Sequence, residues 1–258
     1  MAIQLGTTWV PTSGTTATTN TLTNAQGSGA VTQQDSLLVL SIVCRDREST
    51  APTVTDPAGN TWQAAGTFRD PGQSTVQHMF YALNAAPIDT VTYTIYGVDG
   101  VSPPAASHGC RLTEFTGVGG YSTSNVSVSV DVPQLATVDG ATVTAPAGAL
   151  VLAGASAGVT NRTLEIGTGW TLVPGLFSNS QMRNWLAWTV TDTAGDVTPQ
   201  WTLAAGSSTS VGHITAVFTP ANDEPDPDPD PDPVPVAVCA YVYNGATWQP
   251  LGHPTLTT

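Results

Sequence analysis

An alternating tract of proline and aspartate, Pro225–Pro233, divides the chain into parts of different character. Proline fixes φ and removes a backbone donor, so neither a helix nor a sheet can run through the tract. The aspartates also repel one another. We therefore expect residues 221–235 to form an extended, solvated spacer of roughly 40 Å, at about 3.1 Å per residue. The spacer predicts a folded module over residues 1–220 and a separate tail over residues 236–258, which has no Asp, Glu, Lys or Arg.

The charge of the chain is concentrated in the spacer. Of nineteen acidic residues, six lie between Asp223 and Asp232, which leaves thirteen acids and six arginines in residues 1–220. A folded part with this negative balance and no lysine lacks the basic surface on which nucleic-acid binding depends. The N-terminus shows no secretory signal and no apolar run is long enough to span a membrane, so we expect neither membrane nor nucleic acid as a partner.

The residue pattern of the module predicts an all-β fold. Apolar and polar residues alternate with period two, and the valines of Val126–Val132 share one face that we expect to pack on a core. The uninterrupted apolar runs Leu37–Val43 and Ala149–Ala153 predict central strands. Turn sequences such as Asp56–Asn60 separate the strands, as in a sandwich or barrel.

An internal repeat with an offset near 108 residues sharpens this prediction. The matched segments are Ser36–Leu40 with Ala149–Leu152, Gly59–Trp62 with Gly167–Trp170, His78–Leu83 with Trp185–Val190, Asp89–Tyr93 with Asp196–Trp201, and His108–Phe115 with Val211–Phe218. Two sets of about five strands predict one jelly-roll-like, two-sheet β-sandwich built from two pseudo-repeats. Two separate five-stranded domains are the alternative, but each would have a thin core.

The order of these elements carries a resemblance. The succession LLVL, TVTDPAGNTW, MFYAL, VTYTIYG, CRLTEFTGV, APAGALVLAGA, GTGWTLV, LAWTV, GHITAVFTP resembles a β-sandwich module of actinobacteriophage virion proteins, which also occurs in some actinobacterial surface proteins. The spacer and the tail segment Tyr243–Trp248 resemble the C-termini of phage minor tail proteins.

The resemblance implies a non-enzymatic virion protein, made in the host cytoplasm, that displays the sandwich for contact with the host surface. A minor tail protein is the first expectation, and a capsid decoration or head fibre protein is the alternative. Either implies other virion proteins as partners of the tail and a homo-oligomer, a trimer being one arrangement. A carbohydrate-binding module of a bacterial surface protein is the alternative from another class.

Motifs that could carry catalysis are weak. Gly154–Gly158 matches Gly-x-Ser-x-Gly around Ser156, but a polar loop follows it where a hydrolase has a helix. The histidines are far apart and the cysteines have no metal-ligand spacing. We therefore predict no catalytic residue, no metal site and no cofactor. Cys44 and Cys110 are expected as buried free thiols, with a disulfide between them as the alternative.

Aromatic residues give the best binding signal. Period two places Leu186 and Trp188 on one face of their strand and Trp185 on the other, so Trp185 is predicted to point outward as a sugar platform or subunit contact. Its counterpart in the first repeat is His78, the second candidate for ligand binding. The alternative is that a loop or strand covers Trp185.

The tail predicts a β-hairpin. Residues 237–243 favour a strand, Asn244 and Gly245 form a strong two-residue turn, and residues 246–251 can return. An isolated hairpin is marginal in water. Because this one is aromatic and uncharged, we expect it to anchor the protein in a partner. The candidate anchoring residues are Tyr241, Tyr243, Asn244, Gly245 and Trp248.

Overall fold

The computed structural model describes residues 2–10, 17–27, 29–44, 51–69, 75–96, 108–157, 163–175, 177–178, 183–205, 209–221, 241–243 and 248–250. Within them the chain is all-β apart from one 3-10 turn, Asn24–Gln26, which confirms the predicted fold class. Among the described residues, none of the helical structure is long or apolar enough to cross a membrane. The chain divides into two units, Met1–Asn222 and Asp223–Thr258.

The described residues of the first repeat form eight strands in two sheets. One sheet has the order β1-β8-β3-β6-β5 and the other the order β2-β7-β4, all antiparallel. The strands are β1 Gln4–Trp9, β2 Thr19–Thr23, β3 Ser36–Cys44, β4 Thr53–Thr55, β5 Gln63–Arg69, β6 Val76–Ala85, β7 Thr90–Thr94 and β8 His108–Thr116.

The second repeat follows the same plan. Its large sheet has the order β14-β16-β12-β19-β9, with β15 also paired to β16, and smaller sheets β10-β18-β13 and β11-β17 accompany it. The strands are β9 Val118–Val132, β10 Thr137–Asp139, β11 Val143–Ala145, β12 Leu150–Ala157, β13 Thr163–Ile166, β14 Thr171–Leu172, β15 Phe177–Ser178, β16 Arg183–Val190, β17 Gly195–Val197, β18 Gln200–Ala205 and β19 Thr209–Pro220.

The two pseudo-repeats are therefore visible as one strand order used twice, β1-β8-β3-β6-β5 and β9-β19-β12-β16-β14. The jelly-roll-like sandwich is present, but each repeat forms one of its own rather than supplying half of a single one. The thin core that argued against this arrangement does not arise, because the short strands of the small sheets cover one face of each large sheet. The other faces of the two large sheets pack on each other and form a further core.

Strand β3 shows how the sequence encodes a sheet with both faces covered. All of its residues are buried. Leu38 and Leu40 face the small sheet of their own repeat, whereas Leu37 and Val39 face the second repeat. Strands covered on both faces have near-continuous apolar sequences, so the prediction of a central strand here is confirmed.

The two large sheets meet in a nearly two-fold manner. At one edge β5 lies on β9, since a Cβ at Gly66 would be 3.1 Å from both Val126 Cγ2 and Ile214 Cγ2. At the other edge the chain after β1 lies on the segment after β14, since a Cβ at Gly175 would be 3.1 Å from Val10 Cγ2. Because β9 corresponds to β1 and β14 to β5, the same pair of surfaces meets twice, as in an isologous dimer.

The prediction that the valines of Val126–Val132 pack on a core is confirmed for Val132, which is 2% exposed, and wrong for the other three. Val126, Val128 and Val130 are 38%, 41% and 57% exposed. In the described sheet β9 is an edge strand that pairs with β19, and its valine face lies beside β5 at the rim of the molecule. Period two shows which residues share a face, but not which face is covered.

In the second unit, strands β20 Tyr241–Tyr243 and β21 Trp248–Pro250 pair antiparallel, with Tyr243 opposite Trp248. The predicted antiparallel pairing is present, but the register differs: a two-residue turn would place Tyr243 opposite Ala246, whereas four residues separate the paired Tyr243 and Trp248. Asn244 and Gly245 lie outside the described residues, as does the spacer from residue 222 to its end at 235.

Candidate functional site

Trp185 is not the outward platform predicted from the sequence. It lies on β16 opposite Ala155, is 5% exposed, and packs among Trp201 and Leu203 of β18. The small sheet β10-β18-β13 covers the face that the alternation left open. The predicted outward direction is wrong, and the covering strand that stood as its alternative is what the structure shows.

His78 occupies the equivalent position in the first repeat and is equally enclosed. It lies on β6 opposite Ile42 and is fully buried, with Nδ1 3.0 Å from Thr67 Oγ1. Burial, with the charge of Arg69 as a smaller cause, lowers its pKa to about 3. The ring is therefore neutral at physiological pH and its role in ligand binding stays a prediction.

The other described histidines, His108 on β8 and His213 on β19, occupy equivalent strands and are also buried. His108 Nε2 accepts from Asn20 Nδ2 at 2.8 Å, which leaves its proton on Nδ1. Both nitrogens of His213 have no partner among the described residues. Burial lowers the pKa of each ring to about 4. The described residues contain no group of three or more His, Cys, Asp or Glu arranged to hold a metal ion.

Cys44 and Cys110 are buried thiols with no disulfide between them, so the first of the two alternatives holds. Burial raises the pKa of Cys110 to about 12, against a smaller opposing effect of its contact with Tyr93. A thiol in this state is a packing residue rather than a nucleophile.

Ser156 lies within β12, paired with Asn184 on one side and Gly212 on the other, and is 1% exposed. A nucleophile elbow requires a strained turn that exposes the hydroxyl. An extended, doubly paired serine has the opposite geometry, so the Gly-x-Ser-x-Gly match is a coincidence of composition.

The structure reveals a buried polar cluster at the interface between the repeats, of which the sequence analysis considered only Ser156. It comprises Ser41, Gln77, Arg111, Ser156 and Asn184, each 0–1% exposed. Gln77 Nε2 and Asn184 Nδ2 both donate to Ser41 Oγ, at 3.0 and 3.1 Å. The contact from Gln77 lies within the large sheet of the first repeat, and the contact from Asn184 joins the large sheets of the two repeats.

Arg111 is the charged member of this polar cluster. Its Nη2 donates to the backbone oxygens of Gly175 and, at 3.4 Å, Asn184. Nε and Nη1 have no hydrogen-bond partner, and no ion pair of Arg111 with a carboxylate is seen among the described residues. Burial lowers its pKa to about 10, so the guanidinium is still charged at pH 7.

A cavity of about 300 Å³ adjoins this guanidinium. Arg111 and Gly175 line one part, Trp185 and Leu172 contribute apolar wall, and Glu165 lies on β13 with an exposed side chain. A second cavity of about 400 Å³ lies on the other side of Gly175, beside β1. The cavity of about 300 Å³ is lined both by Trp185, which the sequence analysis predicted as a site residue, and by Arg111, which it did not. The missed signal is an arginine in β8 at a position where the repeat has an isoleucine, Ile214.

Comparison with known proteins finds no matching family model, no similar curated protein and no similar solved structure.

Proposed function

We propose that this chain is a non-enzymatic bacteriophage virion protein, a minor tail protein that displays its duplicated β-sandwich for contact with the host surface. The observation that carries the proposal is the combination of parts in one chain. A rigid all-β module precedes a Pro-Asp tract that cannot enter helix or sheet, and a short hairpin with an uncharged sequence follows. Module, spacer and anchor are the elements of a displayed structural protein.

Burial of the reactive side chains supports a non-enzymatic role. Ser156, Cys110 and the described histidines lie inside sheets, and the shifts in pKa keep the thiol protonated and the imidazoles neutral. A general base works best with a pKa near the operating pH and within reach of a substrate. These groups have neither property.

The proposal is tested on purified virions of the phage that encodes the chain, by mass spectrometry and by gold labelling with an antibody to residues 1–220. Label on the tail is the expected result. Label on the capsid would favour the decoration or head fibre alternative, and absence from particles overturns both.

A truncation after Pro220 tests the anchor. We expect the shortened protein to fold but to be lost from particles. The matched control replaces Pro225–Pro233 by a Gly-Ser segment of equal length, which keeps the reach and the hairpin and should still be incorporated. Normal incorporation of the truncated chain would show that the tail is not the anchor.

A carbohydrate-binding module is the second candidate, favoured by the cavity beside Trp185. It predicts saturable binding of residues 1–220 to host cell-wall glycans, and blocking the cavity by Leu172→Trp should abolish it. Leu172 is 44% exposed, so this change leaves the core in place. Glycan binding that persists in the blocked variant would place recognition elsewhere on the module.

A further inference from the structure

A charged guanidinium without a counter-ion is the least expected feature of the described core. Arg111 is 1% exposed, and two of its nitrogens have no partner in the described part of the chain. Buried charges in proteins are normally paired or fully hydrogen-bonded, because removing them from water is costly. The Arg111 site meets neither condition.

Folding alone does not call for an arginine here. The pairs Leu37–Phe115 and Leu150–Phe218 are equivalent in the two repeats, and counting from them Arg111 corresponds to Ile214. Ile214 is fully buried against the same interface. The equivalent position in the same strand order is thus filled by an apolar side chain, and the charge must be explained by something else.

The cavity beside Arg111 supplies the explanation. Its volume of about 300 Å³ is at the lower end of small-molecule sites, which span about 300–1,000 Å³. The walls are mostly apolar and include Trp185, an aromatic residue against which a ring can pack. Apolar walls with one convergent cation are typical of a site for a small organic anion.

We propose that this cavity binds a small ring-bearing carboxylate, such as a sugar acid, whose carboxylate pairs with the guanidinium of Arg111. Nη1 carries N–H groups without a partner among the described residues, and one of them donates to a carboxylate oxygen in a charge-assisted hydrogen bond. Nε and Nη1 are shielded from solvent, so binding requires the guanidinium to turn toward the cavity on its flexible stem. The ring of the ligand lies against Trp185, and Glu165 at the exposed side accepts from ligand hydroxyl groups.

The experiment is ligand titration of the full chain by saturation-transfer NMR and calorimetry. The probes are glucuronic acid and N-acetylmuramic acid, with glucose, N-acetylglucosamine and sodium sulfate as controls. We expect saturable binding of an acidic sugar and at least tenfold weaker binding of the neutral sugars. Absence of saturable binding of both acids in the millimolar range overturns the proposal, as does equal binding of acidic and neutral sugars. Equal binding of sulfate would show a general anion contact and overturn the assignment to a carboxylate.

Three variants locate the site. Arg111→Met keeps length and removes charge, and should weaken acid binding at least tenfold while the thermal unfolding midpoint is kept or raised. Leu172→Trp fills the cavity from its exposed side and should abolish binding without touching the guanidinium. Arg69→Met, the same change at an exposed arginine on β5, should bind as the parent does. Binding that survives both cavity variants overturns the assignment of the site. Because these titrations use the isolated protein, their outcome does not depend on where the protein lies in the virion.

Discussion

The contact between Phe68 and Gly212 offers the sharpest test of how the two repeats are joined. Phe68 on β5 of the first repeat is 2% exposed, and its ring lies directly over Gly212 on β19 of the second repeat. A Cβ at residue 212 would be 1.8, 2.0 and 2.1 Å from Cε1, Cδ1 and Cζ of that ring. Carbon atoms prefer about 3.5–4.0 Å, so the Gly212→Ala change requires the ring to retreat by roughly 1.5–2 Å.

The expected cost follows from this displacement. Forcing extra volume into a packed core costs about 1–3 kcal/mol. The upper limit is complete loss of the ring from the core, about 3–5 kcal/mol for Phe to Ala. For a domain of this size each kcal/mol lowers the unfolding midpoint by about 2–4 °C, so Gly212→Ala should lower it by roughly 2–12 °C.

Urea unfolding followed by circular dichroism and tryptophan fluorescence measures the free energy change. The matched control is Gly167→Ala, where the new Cβ would meet Gln200 at an ordinary 3.5–3.6 Å and the cost should be within about 0.5 kcal/mol. In a Phe68→Ala background the space is free, so Gly212→Ala should cost much less than it does alone. A stability change in the single variant no larger than that of the control, or strict additivity in the double variant, would refute the packing of β5 on β19.

Three further predictions concern pH, a buried carboxylate and the inter-repeat face. His213 is neutral in the folded protein, with a pKa of about 4 against about 6.5 in the unfolded chain. The unfolded chain therefore takes up the proton first, and the folded protein loses stability as the pH falls from about 6.5 to about 4. His213→Met should therefore gain about 2 kcal/mol relative to the parent on going from pH 8 to pH 5 in urea unfolding, and equal gains at both values would contradict this. Glu114 accepts hydrogen bonds from the backbone amides of Thr7 and Gln33. Glu114→Ala should therefore lower the free energy of unfolding in the same assay by about 1–3 kcal/mol per buried amide, and Glu114→Gln is the milder control. An Ala variant as stable as the parent would contradict these hydrogen bonds. Residues 1–117 alone expose the face that packs on the second repeat and should self-associate in light scattering, whereas a stable monomer would show that this face needs no cover.

The sequence predicted the class of fold because its signals are local. Period-two alternation and turn residues define strands, and the offset near 108 residues reveals the duplication without any knowledge of layers. The number of layers depends on what covers each face. The small sheets use strands as short as Thr53–Thr55 and Val143–Ala145, which are too brief to show a period, so the second sheet of each repeat could not be recognised.

The candidate site shows the same division. The repeat correctly matched His78 with Trp185, which lie opposite the equivalent residues Ile42 and Ala155. The alternation along its own strand placed Trp185 on the face opposite Leu186, but it could not show that β18 covers this face. The burial of Arg111 could not be predicted, because an arginine in a strand is usually exposed and only the sheet order shows that both faces of β8 are covered.

Arg111 has an apolar counterpart, Ile214, in the second repeat, and two explanations of this difference can be distinguished by experiment. A buried polar group can fix the pairing of two apolar faces, and it can also serve a ligand. If Arg111 fixes the pairing, Arg111→Met should leave the repeats able to slide, with loss of amide dispersion in NMR spectra. Under the ligand explanation the variant keeps sharp, dispersed spectra and gains up to about 1–4 kcal/mol of stability, as buried ion groups replaced by apolar ones often do. The hydrogen bond from Asn184 to Ser41 already joins the two large sheets at a fixed position without Arg111. We therefore expect dispersed spectra, and a collapsed spectrum would assign the arginine to the pairing of the repeats instead.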